Sequence, residues 1–276
     1  MDYFDEYSDY LDESYQEERT PDPVEGQAVG ALRAFFAQHS QEVFSSRQIE
    51  VLFEDRYFHW ITHRVLKLLG EERTIVIERR TLSYGAPINF VWHRSNRYTR
   101  RQIKEVQALI EQYSHADFTA ALGNTGELLV SDGFARFGFQ QVGRNAREYR
   151  GKRWATSDHN LDFIFEKDGR AYGVEVKNTL PYINDGELAI KLEMCERLSL
   201  QPLFVVRAMP RIWIQDVAKR RGFTLMLKYH LYPLSHRVLA NEVKARLKLP
   251  VDAPRALYDG TIQRFVNWHE RNRVSP

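Results

Sequence analysis

Cysteine is nearly absent from this sequence, which contains a single one, Cys195, in 276 residues. One cysteine can form neither a disulfide framework nor a cysteine-rich zinc site, and we interpret it as a small core residue in a predicted helix. No apolar run approaches the roughly 20 residues that a membrane span requires. The N-terminus is acidic and lacks a signal-peptide pattern. These absences predict a cytoplasmic protein with no membrane partner.

Signatures of several common enzyme classes are also missing. The sequence contains no phosphate-cradling glycine loop, no serine or cysteine nucleophile motif and no internal repeat. A hydrophobic share of 43% and an aromatic share of 13% nevertheless support real cores. A length of 276 residues suits one to three small domains.

The charge is distributed unevenly along the chain. Residues 1 to 23 contain nine acids and one arginine, a net charge of −8, so the rest of a chain whose total is +2 carries +10. The net positive charge of the chain after residue 23 favours a polyanionic partner. We predict that the acidic segment is disordered. It would either compete with nucleic acid for the basic surface or serve only for solubility.

Two alternating runs, residues 160 to 166 and 171 to 177, predict a β-hairpin. The Asp168-Gly169 pair between them favours a two-residue turn, because both central residues of a type I′ turn need positive φ. With Lys167 opposite Arg170, the apolar residues of both strands are expected on one side. These residues are Leu161, Phe163, Phe165, Tyr172, Val174 and Val176.

The other side of the predicted hairpin places Asp162 opposite Glu175, with Lys177 on the same face. Directly opposed like charges destabilise a sheet. A divalent cation between the carboxylates would remove this conflict, because Mg²⁺ prefers oxygen ligands. Two carboxylates and an ammonium group can bind a metal, steady a phosphate and position a water. A surface hairpin with mixed charges is the simpler alternative.

Asp162 followed by Glu175-Val176-Lys177 resembles the active site of the PD-(D/E)XK nuclease superfamily, which includes type II restriction enzymes and Holliday-junction resolvases. The resemblance implies metal-dependent phosphodiester hydrolysis with Mg²⁺ or Mn²⁺. Asp162, Glu175 and the carbonyl of Val176 would bind the metal, and Lys177 would support the attacking water. A second Glu-Val-Lys, residues 242 to 244, lies in a predicted helix, where residues two apart do not face each other, and is set aside.

Three further residues have alternative interpretations. Glu127 matches the acidic residue that many superfamily members carry on the first helix, where it would contact a metal-bound water, but it also fits a capping box at a helix start. Lys191 would contact a phosphate or be a solvated surface lysine. Asp158 is a rival to Asp162 and ranks lower, because it lies outside the best-paired part of the hairpin.

The elements around the hairpin follow the αβββαβ order of the superfamily's core. The resemblance therefore predicts an α/β fold, a restriction-endonuclease-like mixed sheet flanked by helices, across residues 120 to 230. The expected elements are a helix at 125 to 137, a strand at 138 to 145, the hairpin, a helix at 186 to 200, a strand at 202 to 206, a helix at 212 to 221 and a strand at 223 to 227.

Residues 24 to 98 form a separate pattern that resembles a winged helix-turn-helix domain, with three helices followed by two strands. Ser45 and Gln48 predict a capping box for the second helix. Asp55 is a candidate N-cap for the third helix, and Gly70 is placed to end it. A connecting helix, within residues 99 to 119, and a helical extension, residues 231 to 276, complete the predicted domains. His269 and Glu270 of the extension are expected to form no site.

The third helix of this front domain predicts DNA contact. Its core face is expected to consist of Phe58, Ile61, Val65 and Leu68. The remaining basic and aromatic residues would enter a major groove, and basic residues of the first wing strand would contact phosphates. These candidate DNA-binding residues are Arg56, His59, Trp60, His63, Lys67, Arg79 and Arg80. Protein interaction is an open alternative for a winged helix.

Together these patterns predict a metal-dependent DNA endonuclease. One catalytic core cuts one strand, so a double-strand cut would favour a homodimer, and the resemblance suggests restriction or phage defence. A structure-specific resolvase or repair nuclease is an alternative with the same chemistry. A non-catalytic winged-helix regulator on a degenerate nuclease fold is another, and RNA is an open alternative as substrate.

Overall fold

The computed structural model describes residues 23–272. The predicted disordered segment, residues 1 to 23, lies outside the described residues except for Pro23, which begins the first helix. The described chain divides into two compact units, residues 23–118 with Ala245–Leu249, and Thr119–Lys244 with residues 250–272. Within these residues, no helix is both long enough and apolar enough to cross a membrane.

The first unit combines helices with a small antiparallel sheet in the order β1-β3-β2. Its core contains apolar side chains from α1, α2, α3 and the sheet, including Phe36, Ile49, Val65 and Val91. The elements are α1 (Pro23–Gln38), β1 (Val43–Ser45), α2 (Ser46–Phe53), α3 (His59–Glu71), β2 (Ile75–Thr81), β3 (Pro87–His93) and α4 (Thr99–Ser114).

The ends of the first unit's helices agree only in part with the sequence predictions. The capping box is confirmed, because the Ser45 side chain accepts from the Gln48 N–H and the Gln48 side chain reaches back to the Ser45 N–H. Asp55 is not an N-cap: α3 begins at His59 and has no side-chain cap. The prediction that Gly70 ends α3 is also wrong, since the helix continues to Glu71.

The buried face of α3 is rotated slightly from the predicted one. Ile61 and Val65 are buried as expected, but Leu68 is 37% exposed and Leu69 is fully buried. The spacing of four residues from Ile61 through Val65 reaches residue 69, so Leu68 falls beside the buried stripe. Leu68 is therefore not a core residue.

Helix α5 begins at the end of the first unit and continues into the second. The second unit contains a longer series of elements. They are α5 (Ala116–Arg136), β4 (Gln140–Ala146), β5 (Glu148–Tyr149), β6 (Lys152–Arg153), β7 (Leu161–Lys167), β8 (Arg170–Lys177), α6 (Asp185–Leu198), β9 (Gln201–Val206), α7 (Arg211–Lys219), β10 (Phe223–Met226), β11 (His230–Leu231), α8 (Arg237–Leu247), β12 (Val251–Asp252) and α9 (Asp259–Arg271). The C-terminal end of α8 belongs to the first unit.

A five-stranded mixed sheet, ordered β10-β9-β8-β7-β4, organises this unit. Strands β4, β7 and β8 pair antiparallel, whereas β9 and β10 run parallel to β8. The parallel pairs arise because α6 and α7 form crossover connections. The molecule is thus of the α/β class, with β8 at the centre of its main sheet.

Apolar clusters cover both faces of the sheet. On one face, Phe134 of α5 stacks on Phe165 of β7, with ring centroids 5.1 Å apart, and Phe265 of α9 joins the same cluster. On the other, Ile164 packs in a cluster with Cys195 of α6. Burial of Cys195 raises the pKa of its thiol to about 12, as expected for an inert core residue.

The hairpin of β7 and β8 has the predicted register. Its pairs run from Lys167 opposite Arg170 to Phe163 opposite Val174. Asp168 and Gly169 form the turn with φ of 51° and 73°, as a type I′ turn requires.

Leu161 departs from the predicted alternation. It packs in the cluster of Ile164 instead of that of Phe163 and Phe165. In the neighbouring strand, Asn145 lies between the residues paired with Leu161 and Phe163 and has a left-handed φ of 48°. Leu161 thus lies on the other face, and the prediction that all apolar residues share one side is wrong for Leu161.

His269 of α9 holds the turn end of the hairpin. Its side chain is fully buried, with Nδ1 2.6 Å from the Tyr172 hydroxyl and Nε2 3.1 Å from Asp168 Oδ2. These contacts give His269 a structural role that the sequence did not reveal.

Candidate active site

The two strands of the hairpin separate where the predicted site begins. Their ladder ends at Phe163 opposite Val174, one residue short of the predicted Asp162–Glu175 pair. The backbone N–H of Val176 donates instead to Asp162 Oδ2, at 2.7 Å. A side-chain carboxylate thus takes the place of a backbone acceptor, and it fixes Asp162 beside the Glu175-Val176-Lys177 segment. We call this opening between β7 and β8 the fork.

The two carboxyl groups at the fork lie in an unfavourable environment for negative charge. Burial raises the pKa of Asp162, although the Val176 N–H and the charges of Lys191 and Lys177 oppose the shift. Burial also raises the pKa of Glu175, to about 7, with the charge of Asp162 adding to the effect. Glu175 is only 3% exposed. The repulsion expected from the sequence is therefore present, although the two residues are not a cross-strand pair.

Lys177 lies between two acidic side chains. Its Nζ is 3.3 Å from Glu175 Oε1 and 2.6 Å from Glu187 Oε1. Glu187 stands in the first turn of α6, where Asn184 caps the helix by accepting from the Glu187 N–H at 2.6 Å. The ammonium is consequently fixed at the fork and remains partly accessible, with 19% of the side chain exposed.

Lys191 is a buried member of the site and not a solvated surface lysine. It is 4% exposed, and its Nζ lies 2.5 Å from Glu175 Oε2. It also donates to the backbone carbonyl of Asn160, just before β7. Lys191 therefore links α6 to both strands of the fork, and its proposed contact with a phosphate stays a prediction.

Glu127 lies at the same end of the sheet. It is near the middle of α5, Ala116–Arg136, so the capping-box interpretation is wrong. Its Oε2 is 3.0 Å from an Arg144 guanidinium nitrogen, and its charge contributes to the raised pKa of Asp162. The carboxylate is thus close enough to influence the fork electrostatically.

Asn178 explains how α5 comes so close. Its buried amide donates to the carbonyls of Leu122 and Leu231, at 2.8 and 2.7 Å, and accepts from the Leu231 N–H. A Cβ on Gly126 would lie 2.6 Å from the Asn178 Cβ, so this close approach requires glycine. Neither Asn178 nor Glu187 is predicted from the sequence, although Asn178 directly follows the Glu-Val-Lys motif.

Asp158, the rival to Asp162, lies apart from the fork contacts. Its side chain is fully exposed and forms an ion pair with Arg147 at 3.2 Å. The second Glu-Val-Lys, residues 242 to 244, lies in α8, as the sequence predicted. Asp158 and Lys244 are exposed, unlike the buried Glu175 of the fork.

The donors at the fork fit a hard divalent cation. Within residues 23–272, no three or more acidic, histidine or cysteine side chains form a ready metal cluster. Mg²⁺, however, is commonly held by one or two carboxylates, with waters and substrate phosphates completing its shell. Asp162 and Glu175, with the carbonyl of Val176, would supply such a partial set. Burial raises the pKa values of both carboxyl groups, the charge of Asp162 adds to the shift at Glu175, and a bound cation would oppose these effects.

In the first unit, the candidate DNA-binding residues on α3 divide between two faces. Trp60 is 41% exposed, and Lys67 is exposed on the same helix. His59 and His63 are half-buried beside Glu50 of α2, with His63 Nδ1 3.5 Å from Glu50 Oε1. Burial lowers the pKa of His59 despite the charge of Glu50. The two histidines are thus less available than Trp60 and Lys67.

The other candidates of the first unit lie at its surface. Arg56 is exposed, with its guanidinium 5.0 Å from the Phe53 ring centroid. Arg79 of β2 is also exposed, whereas Arg80 is half-buried and pairs with Glu78 at 2.6 Å. Their contact with DNA stays a prediction.

Comparison with models of protein families, with curated proteins and with solved structures finds no match to this chain. The residues of the fork and the elements that carry them are therefore the basis of the proposed function.

Proposed function

We propose that this protein is a metal-dependent DNA endonuclease of the PD-(D/E)XK type. The observation that carries the proposal is the fork. Asp162 near the start of β7 and Glu175 and Lys177 near the end of β8 meet there, in a buried, charge-conflicted setting. The element order supports it, because α5, β4, β7, β8, α6 and β9 follow the αβββαβ order of that superfamily's core.

Each residue of the fork has a distinct role in the proposed reaction. Asp162 and Glu175, with the Val176 carbonyl, would hold Mg²⁺ or Mn²⁺. A bound divalent cation would supply Lewis-acid stabilisation of the phosphate charge and would lower the pKa of a water. Lys177 would hold and orient the attacking water and stabilise negative charge on the phosphate.

The neighbouring side chains would prepare these groups before substrate binds. Glu187 holds the Lys177 ammonium at 2.6 Å, which restricts its position. Lys191 holds the Glu175 carboxylate at 2.5 Å. Such fixed groups need little reorganisation during the reaction. Glu127, which pairs with Arg144, would contact the bound metal through a water.

DNA would be bound in part by the first unit. We propose that its helices and the β2–β3 pair act as a winged helix-turn-helix, with Trp60, Lys67 and Arg79 at the DNA. A homodimer would place two catalytic cores on one duplex and cut both strands. Such an enzyme would suit restriction or phage defence in the cytoplasm.

One observation favours a second candidate, a DNA-binding protein without catalysis. Lys177 and Lys191 contact both oxygens of Glu175, at 3.3 and 2.5 Å, so the protein itself supplies cations to this carboxylate. A fork neutralised by lysines alone would hold its fold without a metal. The intact Asp162, Glu175 and Lys177 set favours the nuclease.

A cleavage assay tests the proposal. Wild type, Glu175→Ala and Lys177→Ala are incubated with supercoiled plasmid and with a synthetic four-way junction, in Mg²⁺ or Mn²⁺. Cutting by wild type that is lost in EDTA and in both variants is expected. Preference for the junction would assign a structure-specific resolvase. Binding without cutting on either substrate would favour the non-catalytic candidate, and cutting that survives both substitutions would refute the fork as the active site.

A further inference from the structure

A short second hairpin leaves the main sheet between β4 and β7. Strands β5 and β6 pair Glu148 with Arg153 and Tyr149 with Lys152. The turn residues Arg150 and Gly151 have φ of 45° and 78°, the positive values of a tight hairpin turn. This element, residues 147–154, is not predicted from the sequence, and we call it the basic hairpin.

The basic hairpin is a fixed part of the second unit. At its base, Trp154 is 2% exposed, packs in the cluster of Ile164, and donates its backbone N–H to the Arg147 carbonyl at 2.7 Å. Along its length, the Tyr149 hydroxyl donates to Glu166 of β7 and Lys152 donates to the hydroxyl of Ser199. These contacts hold the hairpin against the sheet and the end of α6, so its charges have defined positions.

Positive charge is concentrated here. Residues 144 to 153 contain five cations and one acid, a net charge of +4 in ten residues, which is a large share of the +10 carried outside the first 23 residues. The cations are Arg144, Arg147, Arg150, Lys152 and Arg153. All are exposed except Arg147, which is half-buried. Three of these cations form ion pairs with acids outside the segment: Arg144 with Glu127, Arg147 with Asp158 and Arg150 with Glu166. Lys152 and Arg153 are exposed and form no ion pair among the contacts described.

This row of charge begins at the fork. Arg144 lies 3.0 Å from Glu127 and is paired in the sheet with Phe163, the neighbour of Asp162. Arg147 donates to the Ser157 carbonyl, in the segment that leads into β7. The row then runs away from the fork: Arg150 pairs with Glu166, next to the turn of β7 and β8, and Lys152 donates to Ser199 at the C-terminal end of α6. A chain of phosphates that crosses the fork would therefore meet further cations along this path.

We propose that the basic hairpin is a DNA-binding arm that holds the phosphate backbone of the substrate on one side of the fork, along the stretch that leads toward the turn end of β7 and β8. This inference rests on the proposed function and adds the surface that positions the substrate. A linear row of cations fits a polymer with charge at regular intervals, because duplex DNA carries one negative charge per about 1.7 Å of axis. Contacts of this kind position DNA without reading its sequence.

The test compares two matched double variants in the full chain. Lys152→Gln/Arg153→Gln removes two exposed cations of the basic hairpin. Lys219→Gln/Arg220→Gln removes an exposed lysine and arginine at the end of α7, which packs against β10 at the opposite edge of the sheet. Binding to a short labelled duplex in EDTA is measured by fluorescence anisotropy at several salt concentrations, and circular dichroism confirms that each variant is folded.

Each lost phosphate contact reduces the salt slope of log K by about 0.9. The hairpin variant is expected to lose about 2 from the slope and to bind the duplex about tenfold or more weakly, whereas the control matches wild type. An unchanged slope in the hairpin variant, or an equal loss in the control, would overturn the proposal. So would an equal effect on binding to polyglutamate, since that result would indicate an acidic protein partner.

Cleavage of the same duplex in Mg²⁺ separates this proposal from the nuclease proposal. If wild type cuts and the hairpin variant binds as wild type does, the arm is refuted and the nuclease stands. If the hairpin variant loses salt-dependent binding but wild type never cuts, the arm stands and the nuclease is refuted.

Discussion

Lys191 and Glu175 form a buried ion pair, with 2.5 Å between Nζ and Oε2 and each residue less than 5% exposed. The same ammonium donates to the Asn160 carbonyl, so one side chain of α6 joins the strands that carry Asp162 and Glu175. A buried carboxylate that loses its cation is costly, because the remaining charge has little solvent to stabilise it. The geometry of the fork therefore depends on Lys191.

Replacing Lys191 with methionine is expected to destabilise the fold. The change keeps the aliphatic bulk and removes one cation from Glu175, and breaking a buried pair in this way costs about 3 kcal/mol. Denaturant unfolding without added metal measures the effect. The matched control is Lys219→Met at the exposed Lys219–Asp216 pair, which should change stability by about 0.5 kcal/mol or less.

A double-variant cycle tests whether the cost arises from the pair itself. Glu175→Gln combined with Lys191→Met should cost less than the sum of the two single changes, because neither partner is then left as a lone buried charge. Simple additivity would show that the ion pair is not the source of the loss.

Asp162 and Asp158 provide a direct test of which aspartate serves the site. Asp162→Asn should reduce cleavage by about 100-fold or more, since even outer-shell partners of a bound metal contribute about 10- to 100-fold. Asp158→Asn should cleave as wild type does, because its side chain is fully exposed and pairs only with the half-buried Arg147 among the contacts described for it. Steady-state cleavage of plasmid at saturating Mg²⁺ measures both. The opposite result would move the metal site out of the fork.

The hairpin and the general order of elements were predictable because their signals are local. Alternation with period two and the Asp168-Gly169 turn define the register from Lys167 to Phe163. The departure at Leu161 was not predictable from β7 alone. It accompanies a left-handed Asn145 in a neighbouring strand, and pairing between strands is a tertiary event.

The burial of Lys191 was not predicted from the sequence, for a different reason. Charge made a surface position the natural expectation, yet Lys191 lies at helical spacing with Leu188, Leu192 and Cys195, all of which are buried. That stripe was the available signal. The stripe alone does not predict a buried lysine, because a buried lysine is tolerated only where a partner exists. The burial of the partner, Glu175, on the facing strand is a tertiary feature.

Substitutions at Gly126 and Gly123 test the contact between α5 and Asn178 that brings α5 to the fork. A Cβ at position 126 would lie 2.6 Å from the Asn178 Cβ, so Gly126→Ala must displace Asn178 or the helix and should cost about 1 to 3 kcal/mol. Gly123→Ala in the same helix meets nothing within 4 Å and should stabilise by about 0.5 to 1 kcal/mol. Thermal unfolding compares the two. Equal effects would mean that α5 does not approach Asn178 as described.

The pH dependence of metal binding follows from the environment of Glu175. Burial and the charge of Asp162 raise the pKa of this carboxyl from 4.5 to about 7, so a proton must leave Glu175 before its oxygens can bind a cation. Below about pH 7 the apparent association constant for Mg²⁺ should rise by up to tenfold per pH unit, and above it the constant should level off. Calorimetric titration of the wild type with Mg²⁺ in the absence of DNA measures the profile.

Two variants locate the origin of that profile. Asp158→Asn should reproduce the wild-type curve, because the exposed Asp158 takes no part in the fork. Glu175→Gln should bind Mg²⁺ weakly and without the rise toward pH 7, since the titrating carboxyl is gone. A wild-type constant that already levels off near pH 5, the range of an ordinary glutamate, would mean that Glu175 is not a metal ligand in the buried state described here. The same curve would indicate that the metal binds outside the fork, at a site whose carboxylates are exposed.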